Sequence, residues 1–339
     1  MTERTTNATT PSQRLDSFPR LRLAFLPTPL VELGRLSKLL GGPRILVKRD
    51  DQTGLAFGGN KTRKLEFLAG EAVAQGSDCL ITGGASQSNH CRQTAAAAAV
   101  AGLECHLALG GEAPTVPGGN LLLDVLLGAK IHWGGSRRKG EDIPRIADEL
   151  RALGKRPFVI PYGGSNPTGA LGYVDAAREL ARQLGELRES PAAVIFASSS
   201  GGTHAGLEVG SRLFGLAPRL IGIAIDKFEG EGPSLARRIE AVAKDTAALL
   251  GEDFDVHAAL REEFLGEGYG VVGDAEREAI GLVARTEGVL LDPVYSGRAF
   301  AGMLAMIRAG EFSSKDSVVF WHTGGSPALF PYAADLMRA

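Results

Sequence analysis

Apolar runs of strand length alternate with longer amphipathic stretches along most of the chain. The runs are ILVKRD (45–50), CLITGGA (79–85), CHLALGG (105–111), PFVIPYGG (157–164), AAVIFASSS (192–200), RLIGIAI (219–225) and SVVFWHTGG (317–325). Continuous apolar runs bounded by glycine predict parallel strands buried on both faces. A helix is predicted from about Thr62 to Gln75, where Leu65, Leu68, Ala69, Ala72 and Val73 recur at helical spacing. Another begins at Arg92 in RQTAAAAAVAG, whose small side chains allow close packing on a sheet. This alternation predicts an α/β protein built on open twisted sheets. Residues 1–18 are polar and are expected to form a flexible tail.

Composition narrows the function more than the fold. The 339 residues are 44% hydrophobic and 22% charged with 45 glycines, which excludes a disordered, collagenous or coiled-coil chain. Thirty-seven Lys and Arg against 39 Asp and Glu leave a net charge of −2, so nothing steers the chain to nucleic acid or an anionic membrane. A small-molecule ligand is the expectation. No leader-like or membrane-spanning apolar run is seen, and Cys79, Cys91 and Cys105 form an odd set without a CxxC pair. Both features predict a cytoplasmic protein without a disulfide framework. The six histidines show no HExxH spacing, so no metal site is expected.

Polar, glycine-rich sequence follows several of the strand-like runs, and ligands of parallel sheets bind at that edge. In GGNKTRK (58–64), Lys61 falls at a helix start, one residue too late for a P-loop. The positive helix end and the neighbouring Arg63 and Lys64 favour its neutral amine, which suits Schiff-base chemistry. SSSGGTHAG (198–206) opens a helix whose N–H groups can cradle a phosphate. In GGASQSNH (83–90), hydroxyl, amide and backbone donors can grip a carboxylate, and Ser88 can move a proton. Tyr269 in GYG and Tyr295 in DPVYSGR place phenols in glycine-flanked loops.

Taken in order, GGNKTRKLEFL, GASQSNHCRQTAA, SSGGTHAGL, GYG, LLDPVYSGRAF and HTGGSPALF resemble the pyridoxal-phosphate enzymes of the tryptophan-synthase-β fold (fold type II). The match runs from about Pro19 to Tyr332 and is narrowest with the group holding D-cysteine desulfhydrase and 1-aminocyclopropane-1-carboxylate (ACC) deaminase. The resemblance implies two domains: a larger cofactor-binding one, 19–63 and 172–339, and a smaller inserted α/β domain, 64–171. It also implies a homodimer. Lys61 would carry pyridoxal 5'-phosphate as a Schiff base. Lys64 with Ser200, Gly201, Gly202 and Thr203 would bind its phosphate, and Asn89 its ring hydroxyl. Ser86, Gln87, Ser88, Asn89 and His90 would meet the amino-acid substrate, with Tyr269 and Tyr295 near its reacting carbons.

Two positions discriminate within the group. ACC deaminases carry Glu after the DPVY tyrosine and Leu in the final HxGG, whereas this chain has Ser296 and Thr323. A hydroxyl leaves the pyridine nitrogen neutral, a weaker electron sink suited to expelling a thiolate rather than opening a cyclopropane. The resemblance therefore implies an α,β-elimination with Lys61 taking the α-proton, most simply of D-cysteine to pyruvate, hydrogen sulfide and ammonia. L-cysteate sulfo-lyase is the alternative, with Arg92, Arg298 and Ser86 as possible sulfonate donors. An amino-acid racemase using Lys61 and Ser88 on opposite faces, and a cofactor-storing protein, are more distant readings.

Overall fold

A computed structural model of the chain describes residues 9–227 and 232–338. The strands are β1 (Leu30–Glu32), β2 (Arg44–Arg49), β3 (Cys79–Ala85), β4 (Glu104–Gly110), β5 (Lys130–Trp133), β6 (Pro157–Val159), β7 (Ala193–Ser198), β8 (Arg219–Ala224), β9 (Leu260–Arg261) and β10 (Ser317–His322). The first helices are α1 (Pro11–Ser17), α2 (Gly34–Leu40), α3 (Asn60–Ala74), α4 (Asn89–Ala101), α5 (Gly119–Leu126) and α6 (Ile143–Ala152). They are followed by α7 (Pro167–Leu187), α8 (Gly202–Phe214), α9 (Leu235–Leu249), α10 (Asp274–Glu287), α11 (Ser296–Arg308) and α12 (Ala333–Leu336).

Two sheets result. A six-stranded sheet runs β1-β2-β10-β7-β8-β9, parallel except for β1, and a four-stranded parallel sheet runs β5-β4-β3-β6. Both faces of the larger sheet are covered. Ile45, Val47, Ile195, Val318 and Phe320 pack on one side, and Leu46, Val194, Phe196, Val319 and Trp321 on the other. Burial of alternate residues on opposite faces is why these strands read as unbroken apolar runs.

The expected strands form but are trimmed. PFVIPYGG is extended only over Pro157–Val159, because Pro161 supplies no ladder N–H and Tyr162–Gly164 turns through Gly163 at φ +67°. α3 begins at Asn60 rather than Thr62, and α4 begins at Asn89, capped by Ser88, rather than at Arg92.

The expectation of a flexible tail over 1–18 is corrected in part. Residues 1–8 lie outside the described residues, but Pro11–Ser17 is helical and Leu15 is buried against α9 residues such as Ile239 and Ala243. Thr10 and Gln13 cap it reciprocally. The three cysteines are buried and free. Among the described residues no helix is long and apolar enough to cross a membrane, and no group of three or more His, Cys, Asp or Glu could hold a metal ion.

Candidate active site

Loops leaving the C-terminal ends of β3, β6, β7 and β10 enclose one recess, at the edge where parallel sheets bind ligands. Lys61 stands in the first turn of α3 on its wall. The turn before it needs glycine: Gly58 lies at φ +64°, and a Cβ there would sit 2.2 Å from Asp51 O. Gly59 follows at φ +127°, and the Asn60 N–H donates to Thr323 O at 2.9 Å, tying Lys61 to the end of β10. Burial pulls the Lys61 ammonium down to about 8, against the opposing pull of Asp292. Arg63 takes no part in this, contrary to the expectation from the sequence. It turns to the opposite side of α3 and pairs with Asp50 and Glu179.

The N-terminus of α8 faces the same recess. Ser200, Gly201 and Thr203 line it, and Gly201 caps the helix at φ +94°. Lys64 lies behind this turn: a Cβ at Gly202 would come 2.9 Å from its Nζ and 2.8 Å from Ser165 Oγ. Lys64 is 1% exposed, yet its Nζ donates only to Gly163 O at 3.1 Å and Ser165 Oγ at 3.3 Å. Among the described residues no carboxylate lies within ion-pair distance of it. Burial and Lys61 push its pKa well below the ordinary lysine value. A buried amine short of acceptors, beside a helix N-terminus with no room for a side chain at Gly202, suits a phosphate monoester. With an amine that is readily neutral nearby, these residues fit pyridoxal phosphate.

Ser88, Asn89 and His90 at the start of α4 line the recess, as do Tyr295 and Thr323. Ser88 Oγ also accepts the Cys91 N–H at 3.2 Å, so it caps α4 while facing the site. His90 shares a 2.9 Å bond through Nε2 with Thr82 Oγ, and its buried Nδ1 has no partner. Burial, with Lys61 and Lys64, holds the imidazole neutral. Tyr269 stands behind Tyr295, with the two phenol oxygens 2.6 Å apart. Burial raises both phenol pKa values, so they present protons rather than phenolates.

Three expected residues are turned elsewhere. Ser86 and Gln87 line a separate shallow pocket with Glu112, Val116 and Pro331. Gln87 spends its amide on Gly118 O and the Asn120 N–H, which anchors the loop rather than a substrate. Ser296 is fully buried and donates its hydroxyl proton to Asp292 Oδ1 at 2.6 Å, so Thr323 is the one of the two discriminating hydroxyls that borders the recess.

The sequence reading passed over several residues that the fold brings here. Tyr162 and Gly163 line the recess, and Ser165 donates to Ser200 Oγ at 2.7 Å and accepts the Gly202 N–H at 3.0 Å. The signal was PYGGSNP, a polar glycine loop after an apolar run like the three that were recognised. Asp292 accepts the N–H groups of Val294, Tyr295 and Ser296, which aims Tyr295 and caps α11. Arg138, from the loop after β5, reaches the other sheet. It pairs with Asp226 at 3.1 Å and stacks 4.6 Å over the Tyr269 ring.

The chain matches known proteins over most of its length. A D-cysteine desulfhydrase of Klebsiella pneumoniae (strain 342) is 43% identical over 94% of this chain and 98% of its own. One of Salmonella choleraesuis (strain SC-B67) is 44% identical over 95% and 98%. A crystal structure described as an ACC deaminase homologue superposes with a TM-score of 0.89 at 36% identity, covering 97% of this chain and 98% of that one. A threonine deaminase isoform from Solanum lycopersicum shares the fold at a TM-score of 0.67 and 17% identity, covering 96% of this chain and 86% of that one. The family model for pyridoxal-phosphate dependent enzymes matches residues 21–324, so this chain belongs to the pyridoxal-phosphate dependent enzyme family.

Proposed function

We propose that the chain is a carbon–sulfur lyase acting on D-cysteine, converting it with water to pyruvate, hydrogen sulfide and ammonia. When bound, the cofactor supplies an electron sink for charge developing at the α-carbon. Lys61 holds it and is the base for the α-proton, a role suited to an amine that burial brings to about 8. Tyr295, hydrogen-bonded to Tyr269, is the donor to the departing sulfur. That proton and the broken C–S bond release the sulfur as sulfide, and the remaining three-carbon enamine hydrolyses to pyruvate and ammonia. Ser88 and His90 face the substrate, Asn89 the ring hydroxyl, Thr323 the ring nitrogen, and Lys64 with Ser200, Gly201, Gly202 and Thr203 the phosphate.

The observation that carries this reading over its rival is the engagement of the groups a sulfonate would need. Arg92 donates to Asn120, Ala56 O and Gly58 O. Arg298 is held by Glu276 and the carbonyls of Ile225, Gly268 and Val271, and Ser86 faces the other pocket. The relatives named D-cysteine desulfhydrase favour the same choice. The reading also divides the chain into a cofactor-holding part, 19–63 with 172–339, and an inserted part, 64–171, supported by the separate sheet between Cys79 and Val159. It includes a homodimer in a reducing cytoplasm, supported by Leu122, Val125 and Leu126, exposed together on α5, and by the free cysteines respectively. The test is a panel of D-cysteine, L-cysteine, L-cysteate, ACC and D-serine scored for pyruvate, ketobutyrate, sulfide and sulfite. Pyruvate with sulfide from D-cysteine is expected. Sulfite from L-cysteate or ketobutyrate from ACC as the dominant product overturns the proposal.

A further inference from the structure

We propose that Arg92 and Asn120 are positioning residues that set which end of the Asn89 amide meets the cofactor ring. The proposal rests on the placement of Asn89 against that ring. Arg92 is fully buried on α4, and a guanidinium has donors only. Its Nε–H donates to Asn120 Oδ1 at 2.7 Å, so the Asn120 amide must turn its oxygen to Arg92 and its nitrogen away. That nitrogen donates to Gln87 O at 2.8 Å and to Asn89 Oδ1 at 2.9 Å. Asn89 is therefore turned in the same way, with its oxygen held from behind and its Nδ2 left to face forward. Nδ2 has no protein acceptor among the described residues and lies 2.9 Å from where a Cβ at Gly325 would stand, in the loop that carries Thr323.

Each link is forced by donor and acceptor chemistry, so the orientation holds independently of how either amide is assigned. Asn120 is itself fully buried at the start of α5, where its backbone N–H donates to Gln87 Oε1 at 2.9 Å. The other guanidinium nitrogens of Arg92 bind Ala56 O and Gly58 O, in the turn that leads into Lys61. One buried arginine thus holds both the Lys61 turn and, through Asn120, the Asn89 amide. A donor at the ring oxygen weakens that oxygen's hold on the neighbouring imine proton, whereas an acceptor strengthens it.

The decisive variant is Asn120→Asp (N120D). Asp keeps the bond from Arg92 but places a carboxylate oxygen against Asn89 Oδ1, which drives the Asn89 amide to invert. In the holoenzyme, the pH at which the bound cofactor's absorbance titrates should move up by about one unit or more. Asn89→Ala (N89A) should move it in the same direction. Lys61, Lys64 and His90 on α3 and α4, Asp292 and Tyr295 before α11, and Asp124 on α5, whose carboxyl burial raises to about 8 beside Arg92, are unchanged in each variant. Should N120D fail to fold, Asn120→Ala (N120A), which deletes the donor without adding charge, should give a smaller upward shift. A wild-type titration in N120D, or in N120A if only that folds, alongside a shifted N89A, overturns the relay. An unshifted N89A overturns instead the placement of Asn89 at the ring. Lower thermal stability in N120A with an unmoved titration would mark Asn120 as structural only and also refute the proposal.

Discussion

Arg63 and Lys64 are consecutive residues of α3, each 1% exposed, and their surroundings are opposite. Arg63 donates to Asp50 at 2.8 and 2.9 Å, to Glu179 at 2.9 and 3.1 Å and to Thr28 Oγ at 2.9 Å. Asp50 also accepts from Tyr173 at 2.6 Å and Trp321 at 2.8 Å, and Lys48 pairs with Glu179. Burial alone would raise the Asp50 carboxyl, but Arg63, Lys48 and Tyr173 outweigh it and hold the group at about 2. On the recess side, the carboxylate of Asp292 acts on Lys61, and Lys64 is influenced by burial and by Lys61 rather than by a carboxylate. A buried charge that the protein neutralises itself is scaffold, and one it leaves short of counter-charge is prepared for an anion that binds. The same turn of helix does both, because side chains at successive positions leave in different directions.

The largest effect that would sharpen this contrast is at Lys61. Lys61→Ala should reduce pyruvate release about 10³-fold or more while leaving the unfolding transition of the cofactor-free protein within about 1 kcal/mol. Asp50→Asn should do the reverse. Leaving Arg63 with Glu179 as its remaining carboxylate should cost about 3–5 kcal/mol in denaturant unfolding, because a buried charge network loses its central partner. Since the Asp50 carboxyl is depressed in the fold, its contribution is complete above the unfolded value of about 4 and is lost as pH falls towards 2, so D50N should flatten the acid limb of the stability curve.

Lys64→Met should weaken pyridoxal-phosphate affinity by about 10–100-fold, the value of one charge-assisted phosphate contact, as read by absorbance titration. The cofactor-free variant should be as stable as the parent or more so, since it no longer buries an amine whose charged form burial disfavours. Loss of stability in K64M without loss of affinity would place Lys64 with Arg63 in the scaffold. The smallest effect concerns pH. Cofactor capture needs the neutral Lys61 amine, so its rate should climb with pH and level off above about 8. Because Asp292 raises the Lys61 value, Asp292→Asn should move that plateau to lower pH.

The strands at the centre of the larger sheet were legible because burial on both faces leaves no polar position to interrupt them. β1, β5 and β9 were not, being edge strands of two to four residues that offer too few positions for any periodicity. The recess was legible wherever a glycine-rich motif follows a strand. It failed at Tyr162 and Ser165, where Pro157–Gly164 reads as one apolar run although the chain turns after Val159. Side-chain direction was beyond the sequence altogether. KTRK shows four adjacent polar residues but not that the third leaves for Asp50, and DPVYS shows a serine but not that Asp292 accepts its hydrogen bond.

The central claim is that one of these two neighbouring charge environments receives the cofactor, at the amine of Lys61. Borohydride reduction of the holoenzyme followed by peptide mass mapping measures this directly. A phosphopyridoxyl adduct on Lys61, absent when D-cysteine is kept saturating during reduction, is the predicted result. An adduct confined to Lys64 or Lys48, or no adduct in protein that retains the cofactor, would contradict the account.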